Sequence, residues 1–255
     1  MRVIGHRGAL ALAPENTMAA FAVAERCGVD AIEFDVHLTA DGAPVVIHDE
    51  TLERTTNGSG AVASRTLAQV QALDAGSSFG PAFAGERVPA LAEVLTWAAP
   101  RRLGLVLELK QPAPGTGRSR DEALPRIVVE LVREYGLVER TLFISFDHPS
   151  LAHVLTVEPA ARVGLLTDGP TLIDPLAAVR AIPAAGGLHV RWPWISRELC
   201  DAAHQRGMHV HGWGLRGPIP RDVVRRLAAF GVDSLSADAP EELIGILRAE
   251  ALRPA

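Results

Sequence analysis

Three short clusters near the start of the chain carry groups able to do chemistry together: His6-Arg7-Gly8, Glu33-Phe34-Asp35 and His48-Asp49. Carboxylates on one strand face hold a hard divalent cation. A cation and a guanidinium neutralise a phosphate. Two imidazoles pass protons on and off oxygen near neutral pH. These types in one place point to metal-assisted acid–base chemistry on a phosphoryl group.

The spacing supports that grouping. Glu33 and Asp35 are two apart in the apolar run Ala31–Val36, so as a strand they share a face. Two like charges on an inward face repel unless a cation lies between them; a metal ion answers that, and so does an ion pair with an arginine. Glu108 and Lys110 repeat the spacing at the end of Leu105–Leu109. Glu108 would complete a three-oxygen site suited to Mg²⁺ or Ca²⁺, whereas Zn²⁺ favours more His or Cys. Lys110 would face the phosphate; the bland alternative is a Glu–Lys pair closing a barrel layer. His209, His211 and Trp213 alternate on a later strand, and there barrel filling is preferred to a second metal site. Trp213, last before its loop, is the candidate wall of a pocket. Asp238, at the last strand end, reads as a helix cap in preference to a partner supporting a site residue. Trp192 and Trp194, around Pro193, line the mouth or cover a helix end. Asn57-Gly58-Ser59-Gly60 lacks the Gly-Lys-Ser/Thr of a nucleotide-binding loop.

The elements that must position these groups are βα units. Strands are predicted at Val3–His6, Ala31–Val36, Leu105–Leu109, Thr141–Ser145, Arg162–Leu166, Gly187–Val190, His209–Trp213 and Asp233–Ala237. Helices are predicted near 15–27, 91–98, 122–135, 149–157, 172–182, 196–206, 219–230 and 240–250. Eight such units make an α/β protein with a closed TIM (β/α)8 barrel. One apolar run, Pro44–His48, is left over. It follows Ala31–Val36 too closely for a parallel crossover, and Asp41-Gly42 is a hairpin signal. The strand is therefore expected to turn back at 41, which brings residue 48 to the level of Phe34 and Asp35. Residues 50–88 interrupt the repeat and read as a small lid or specificity insertion within one domain spanning 1–255.

Composition narrows the partners. The chain has 255 residues, 48% hydrophobic and 22% charged, and a net charge of −5. No basic run favours nucleic acid or an anionic membrane, and no apolar stretch is long enough to span a bilayer. The first residues lead straight into the first cluster, so a soluble, cytoplasmic protein is expected. Cys27 and Cys200 are far apart, as expected of buried thiols rather than ligands or a disulfide.

Against this background the motifs resemble the glycerophosphodiester phosphodiesterase family. The resemblance is carried by His6-Arg7-Gly8, Pro14-Glu15-Asn16-Thr17, Ile32-Glu33-Phe34-Asp35-Val36, Thr39-Ala40-Asp41-Gly42, His48-Asp49 and Arg54-Thr55-Thr56, then Glu108-Leu109-Lys110, Ser145-Phe146-Asp147 and Trp213. It implies a TIM barrel that hydrolyses small-molecule glycerophosphodiesters to glycerol 3-phosphate and an alcohol. It also implies one divalent ion, Mg²⁺ or Ca²⁺, on Glu33, Asp35 and Glu108, with His6 and His48 as the acid–base pair. Arg7 and Lys110 become phosphate contacts. The chain departs from the family pattern at Trp213-Gly214-Leu215-Arg216, Ala237-Asp238 and Pro89-Ala90-Leu91, which bears on the pocket wall and so on the alcohol. Competing readings are a related phosphodiesterase acting on lysophospholipid or phosphoinositol head groups, and a non-catalytic barrel that binds phosphoryl ligands.

Overall fold

The computed structural model describes residues 1–112, 121–169 and 185–253. Its strands are β1 (Arg2–Gly5), β2 (Ala31–Leu38), β3 (Pro44–Val46), β4 (Gly104–Leu109), β5 (Thr141–Ser145), β6 (Arg162–Thr167), β7 (Ala185–Arg191), β8 (His209–Leu215) and β9 (Ser234–Ala237). All but β3 pair in parallel in the order β1-β9-β8-β7-β6-β5-β4-β2, and β1 also pairs with β2. The sheet is thus a closed eight-stranded barrel, as the eightfold repeat predicts. The leftover run is β3, antiparallel to β2 with Val36 opposite Val46 and Leu38 opposite Pro44. That is the predicted hairpin register, turned at Gly42 with φ +76°.

The described helices are α1 (Met18–Cys27), α2 (Leu67–Gln71), α3 (Leu91–Ala98), α4 (Ala123–Glu134), α5 (His148–Val157), α6 (Arg197–His204), α7 (Arg221–Phe230) and α8 (Pro240–Ala249). The helix predicted near 172–182 lies outside the described residues. No described helix is long and apolar enough to cross a membrane. Caps explain several starts: the side chains of Thr17, Asp147 and Ser196 accept from Ala20 N, Ser150 N and Leu199 N. The first helix begins three residues later than predicted. Asn16 sits at φ +58°, outside the helical region, and its side chain is committed to Asp35.

The strands are buried on both faces, hence their near-continuous apolar sequences. Phe34, Ile32, Leu105, Leu107 and Phe143 point outward into the layer beneath the helices, each fully or almost fully buried. Each such side chain stabilises the fold by about 1.5–3 kcal/mol. Inside the barrel, Ile4, Val106, Leu142, Ile144 and Leu166 form an apolar plug under the polar upper layer. The 50–88 insertion has a small core of its own: Leu52, Val62, Val70, Ala75 and Val88 pack with Val45 and Ile47 of the hairpin. Cys200 is buried as expected, but Cys27 ends α1 and is only partly so; both are free thiols.

Candidate active site

The strand C-termini open into a cavity of about 310 Å³. A second cavity, of about 100 Å³, lies at the opposite mouth among Arg2, Arg162 and His209. Active sites of parallel barrels form at the C-terminal face, and among the described residues the carboxylate cluster Glu33, Asp35 and Glu108 lies there.

The first wall is the His6-Arg7-Gly8 turn. The chain folds back over the end of β1: Gly8 N donates to Glu33 O, and Arg7, at φ +48°, donates its backbone N–H to Glu33 Oε2 at 2.8 Å. Glycine is required at 8, with φ +84°, because a Cβ would stand 2.7 Å from the Ala20 backbone of α1. Above this turn, His6 Nδ1 donates to Asp238 Oδ1 at 2.7 Å. The hairpin delivers the second imidazole. His48 Nδ1 donates to Asp49 Oδ1 at 2.6 Å, and His37 Nε2 donates to the His48 carbonyl at 3.0 Å. His6 and His48 therefore each have Nδ1–H held by a carboxylate, which fixes the tautomer with Nε2 left as the other ring nitrogen.

Glu33, Asp35 and Glu108 meet beneath these groups. All are buried, and one oxygen of each lies within 4.8 Å of the others. Lys110 Nζ is 2.7 Å from Glu108 Oε1 and 3.1 Å from Asp35 Oδ1, while Arg7 Nε is 3.4 Å from Asp35 Oδ2. Both bland readings, an arginine pair and a Glu–Lys pair, are therefore present, yet three carboxylates exceed two cations. Asn16 Nδ2 donates to Asp35 Oδ2 at 2.8 Å, whereas Asp35 Oδ1 accepts no hydrogen bond, the Lys110 ammonium lying out of line. A buried carboxylate oxygen left open, in an all-oxygen set, fits a hard divalent cation.

The titration behaviour reflects the same excess. Burial, then the charges of Asp35 and Glu108, push the Glu33 carboxyl well above the usual range. Burial raises Glu108 to about 7, with Lys110 opposing and Asp35 adding. Burial also resists ionisation of Asp35, but Lys110 and Arg7 outweigh it and hold that carboxyl far below its ordinary value. Burial lowers His48, with Asp35 opposing, so its imidazole is neutral at neutral pH.

The far wall is aromatic. Trp213 donates its indole N–H to the His189 carbonyl at 3.3 Å and meets Phe146 edge-on, ring centroids 5.8 Å apart. Arg216 lines the cavity beside them. His189 and His211 fill the barrel below, their rings 4.6 Å apart and both held neutral by burial, His211 at about 3. His209 lies a layer deeper, bonded to Gly186 O, so His209 and His211 fill the barrel as expected from the sequence, with His189 beside them. Trp192 packs on the outer core; Trp194 is exposed.

His6, Arg7, Glu33, His48, Glu108, Lys110 and Trp213 all border the one cavity, and Asp35 lies just behind them. The expected cap role of Asp238 is overturned. Ala239 occupies the cap position of α8 without a side-chain cap, and the Asp238 carboxylate binds His6 instead. Sequence reasoning also passed over Glu15, Asn16, Asp49 and Arg54 as site residues. Glu15 accepts from Arg7 Nη1 at 2.8 Å and from both Nη atoms of Arg54, and Arg54 in turn grips Asp49. Their dense polar composition beside the His6 and His48 motifs was the available signal.

Fold and site define a parallel (β/α)8 barrel whose C-terminal mouth gathers an oxygen set for a divalent ion, two oriented imidazoles and two cations. The chain belongs to the glycerophosphoryl diester phosphodiesterase family, whose model matches residues 6–242. The glycerophosphodiester phosphodiesterase of Caldanaerobacter subterraneus subsp. tengcongensis is 37% identical over 246 residues, covering 96% of this chain and 97% of that protein. Among solved structures, the glycerophosphodiester phosphodiesterase of Agrobacterium tumefaciens superposes with a TM-score of 0.81 at 32% identity, covering 96% of this chain and 99% of that one. An Oleispira antarctica phosphodiesterase, solved with the product sn-glycerol-3-phosphate, gives 0.86 at 28% identity with 97% of each chain covered.

Proposed function

We propose that this enzyme hydrolyses glycerophosphodiesters to glycerol 3-phosphate and an alcohol, using His6 and His48 as its acid–base pair. The observation that carries the reading is the matched pair of histidines, each with Nδ1 held by a carboxylate, over one buried triad of acidic side chains. Family membership and the product-bound Oleispira relative support the substrate class.

Arg7 and Lys110 bind the phosphate oxygens and offset the charge that develops on them. Glu33, Asp35 and Glu108 would hold one divalent ion, Mg²⁺ or Ca²⁺, which would supply Lewis-acid neutralisation of phosphate charge. One imidazole takes the proton of the attacking oxygen, the glycerol 2-hydroxyl or water, through its free Nε2. The other, protonated, gives its proton to the alkoxide as the bond from phosphorus to the leaving alcohol breaks. If the hydroxyl attacks, the product is a cyclic phosphate; water then opens it with the two imidazoles exchanging roles, and no net proton is gained or lost by the pair. Trp213 and Phe146 flank the departing alcohol.

The test is incubation of the purified protein with glycerophosphocholine, glycerophosphoethanolamine and related diesters, with Mg²⁺, Ca²⁺ or a chelator. Ion-dependent release of glycerol 3-phosphate is expected. Its absence from every diester under every ion would remove the proposal.

A further inference from the structure

Arg54 does not border the cavity. It belongs to the first turn of the insertion and its side chain is 46% exposed. Its guanidinium nevertheless makes four hydrogen bonds to two carboxylates. Nε and Nη2 donate to Asp49 Oδ2 and Oδ1 at 2.6 and 3.0 Å. Nη1 and Nη2 donate to Glu15 Oε2 and Oε1 at 2.7 and 2.8 Å. Both carboxylates are thus gripped by two nitrogens at once. Each has a further partner inside the site: Glu15 Oε1 accepts from Arg7 Nη1, and Asp49 Oδ1 accepts from His48 Nδ1. An unbroken chain runs Arg7–Glu15–Arg54–Asp49–His48, with Arg54 at its centre.

We infer that Arg54 is a positioning residue: one guanidinium, supplied by the insertion, sets the orientation of Arg7 and of the His48 imidazole relative to each other. The inference rests on the roles proposed above for those two residues. A bidentate network can add to folding, but stability alone does not explain why one half-exposed guanidinium joins two segments that each hold a group of the site. Geometry does. Glu15 comes from the loop before α1 and Asp49 from the end of the hairpin, and only a planar fork can hold two carboxylates from separate segments in fixed planes. Without it Glu15 is left to Arg7 alone, Asp49 is free to rotate with His48, and neither group is indexed to the other. A lysine supplies the charge but not the fork.

Arg54→Ala and Arg54→Lys, assayed beside wild type and His48→Ala, test this. Misplacement of about 1 Å at a reacting group costs up to about 10²-fold. Arg54→Ala should therefore lower kcat by about tenfold or more with a smaller change in KM, and with a Tm near that of wild type. Arg54→Lys should stay low. Guanidinium ion, added at concentrations too small to unfold the protein, should restore part of the Arg54→Ala turnover and none of the His48→Ala turnover. A readout independent of turnover is the low-field proton resonance of His48 Nδ1–H bonded to Asp49, expected to shift or broaden in Arg54→Ala. Wild-type kcat in Arg54→Ala, or an unmoved His48 resonance, would overturn the inference. A wild-type protein inactive on every diester would instead remove the proposed function, and the resonance would still decide the role of Arg54.

Discussion

At the scale of single residues, the site is two histidine–aspartate pairs on one cavity that also holds a nest of carboxylates. His6 leans on Asp238 and His48 on Asp49, which leaves Nε2 as the second nitrogen of each ring, the atom to which the proposed proton transfer is assigned. Replacing either histidine with alanine should lower kcat by at least about 10²-fold, the usual worth of one acid–base group, with the circular dichroism spectrum unchanged. Asp238→Asn should lower kcat less than His6→Ala, since the imidazole stays but its tautomer is no longer held by an anion; stopped assays on purified variants measure both. The side chains that gather at the cavity were legible because unusual types recur at strand spacing. Their supports were not. Asp238 reads as a cap because an aspartate before Ala-Pro-Glu-Glu normally is one, and only closure of the barrel turns it toward His6. Asn16 reads as helix because its left-handed backbone leaves no trace in a one-dimensional pattern.

At the scale of elements, turns do the positioning. The barrel strands were readable since burial on both faces makes each a distinct apolar run, and the hairpin register followed from Asp41-Gly42. The internal layout of the insertion was not readable, because its small core depends on Val45 and Ile47 across the hairpin. The turn after β1 is the tightest of these devices, packed against α1 through Gly8. Gly8→Ala should cost roughly 1–3 kcal/mol from positive φ and contact with Ala20. Unlike most losses of stability it should also depress activity in the protein that remains folded, since Arg7 is the residue just before it. Urea denaturation, with kcat measured well below the transition, separates the two effects.

At the scale of the whole molecule, the buried acids tie folding to ion and pH. The folded protein holds Glu33 and Glu108 above their ordinary value of 4.5, Glu108 at about 7. A group raised in this way stabilises the fold fully below its unfolded pKa, and that contribution is lost as pH rises through the folded value. Chelated protein should therefore lose melting temperature from Glu108 between about pH 4.5 and 7, with Glu33 acting in the same direction. A divalent ion binds the deprotonated forms, so its affinity should rise by about tenfold per pH unit for each proton displaced, levelling above their folded values. At about 100 times its Kd the ion adds about 2.7 kcal/mol, or roughly 5–10 °C in Tm. Scanning calorimetry with and without Mg²⁺ or Ca²⁺ across this range should show the curves diverging as pH rises. Barrel closure carries a further consequence for how the protein is made. His6 and its aspartate are 232 residues apart, and β1 finds one of its two neighbours only in β9. Domains emerge from the ribosome N-terminal end first. A nascent chain that already holds both histidines and all three site acids still has an open barrel, and His6 gains its carboxylate partner only once β9 and Asp238 have been made.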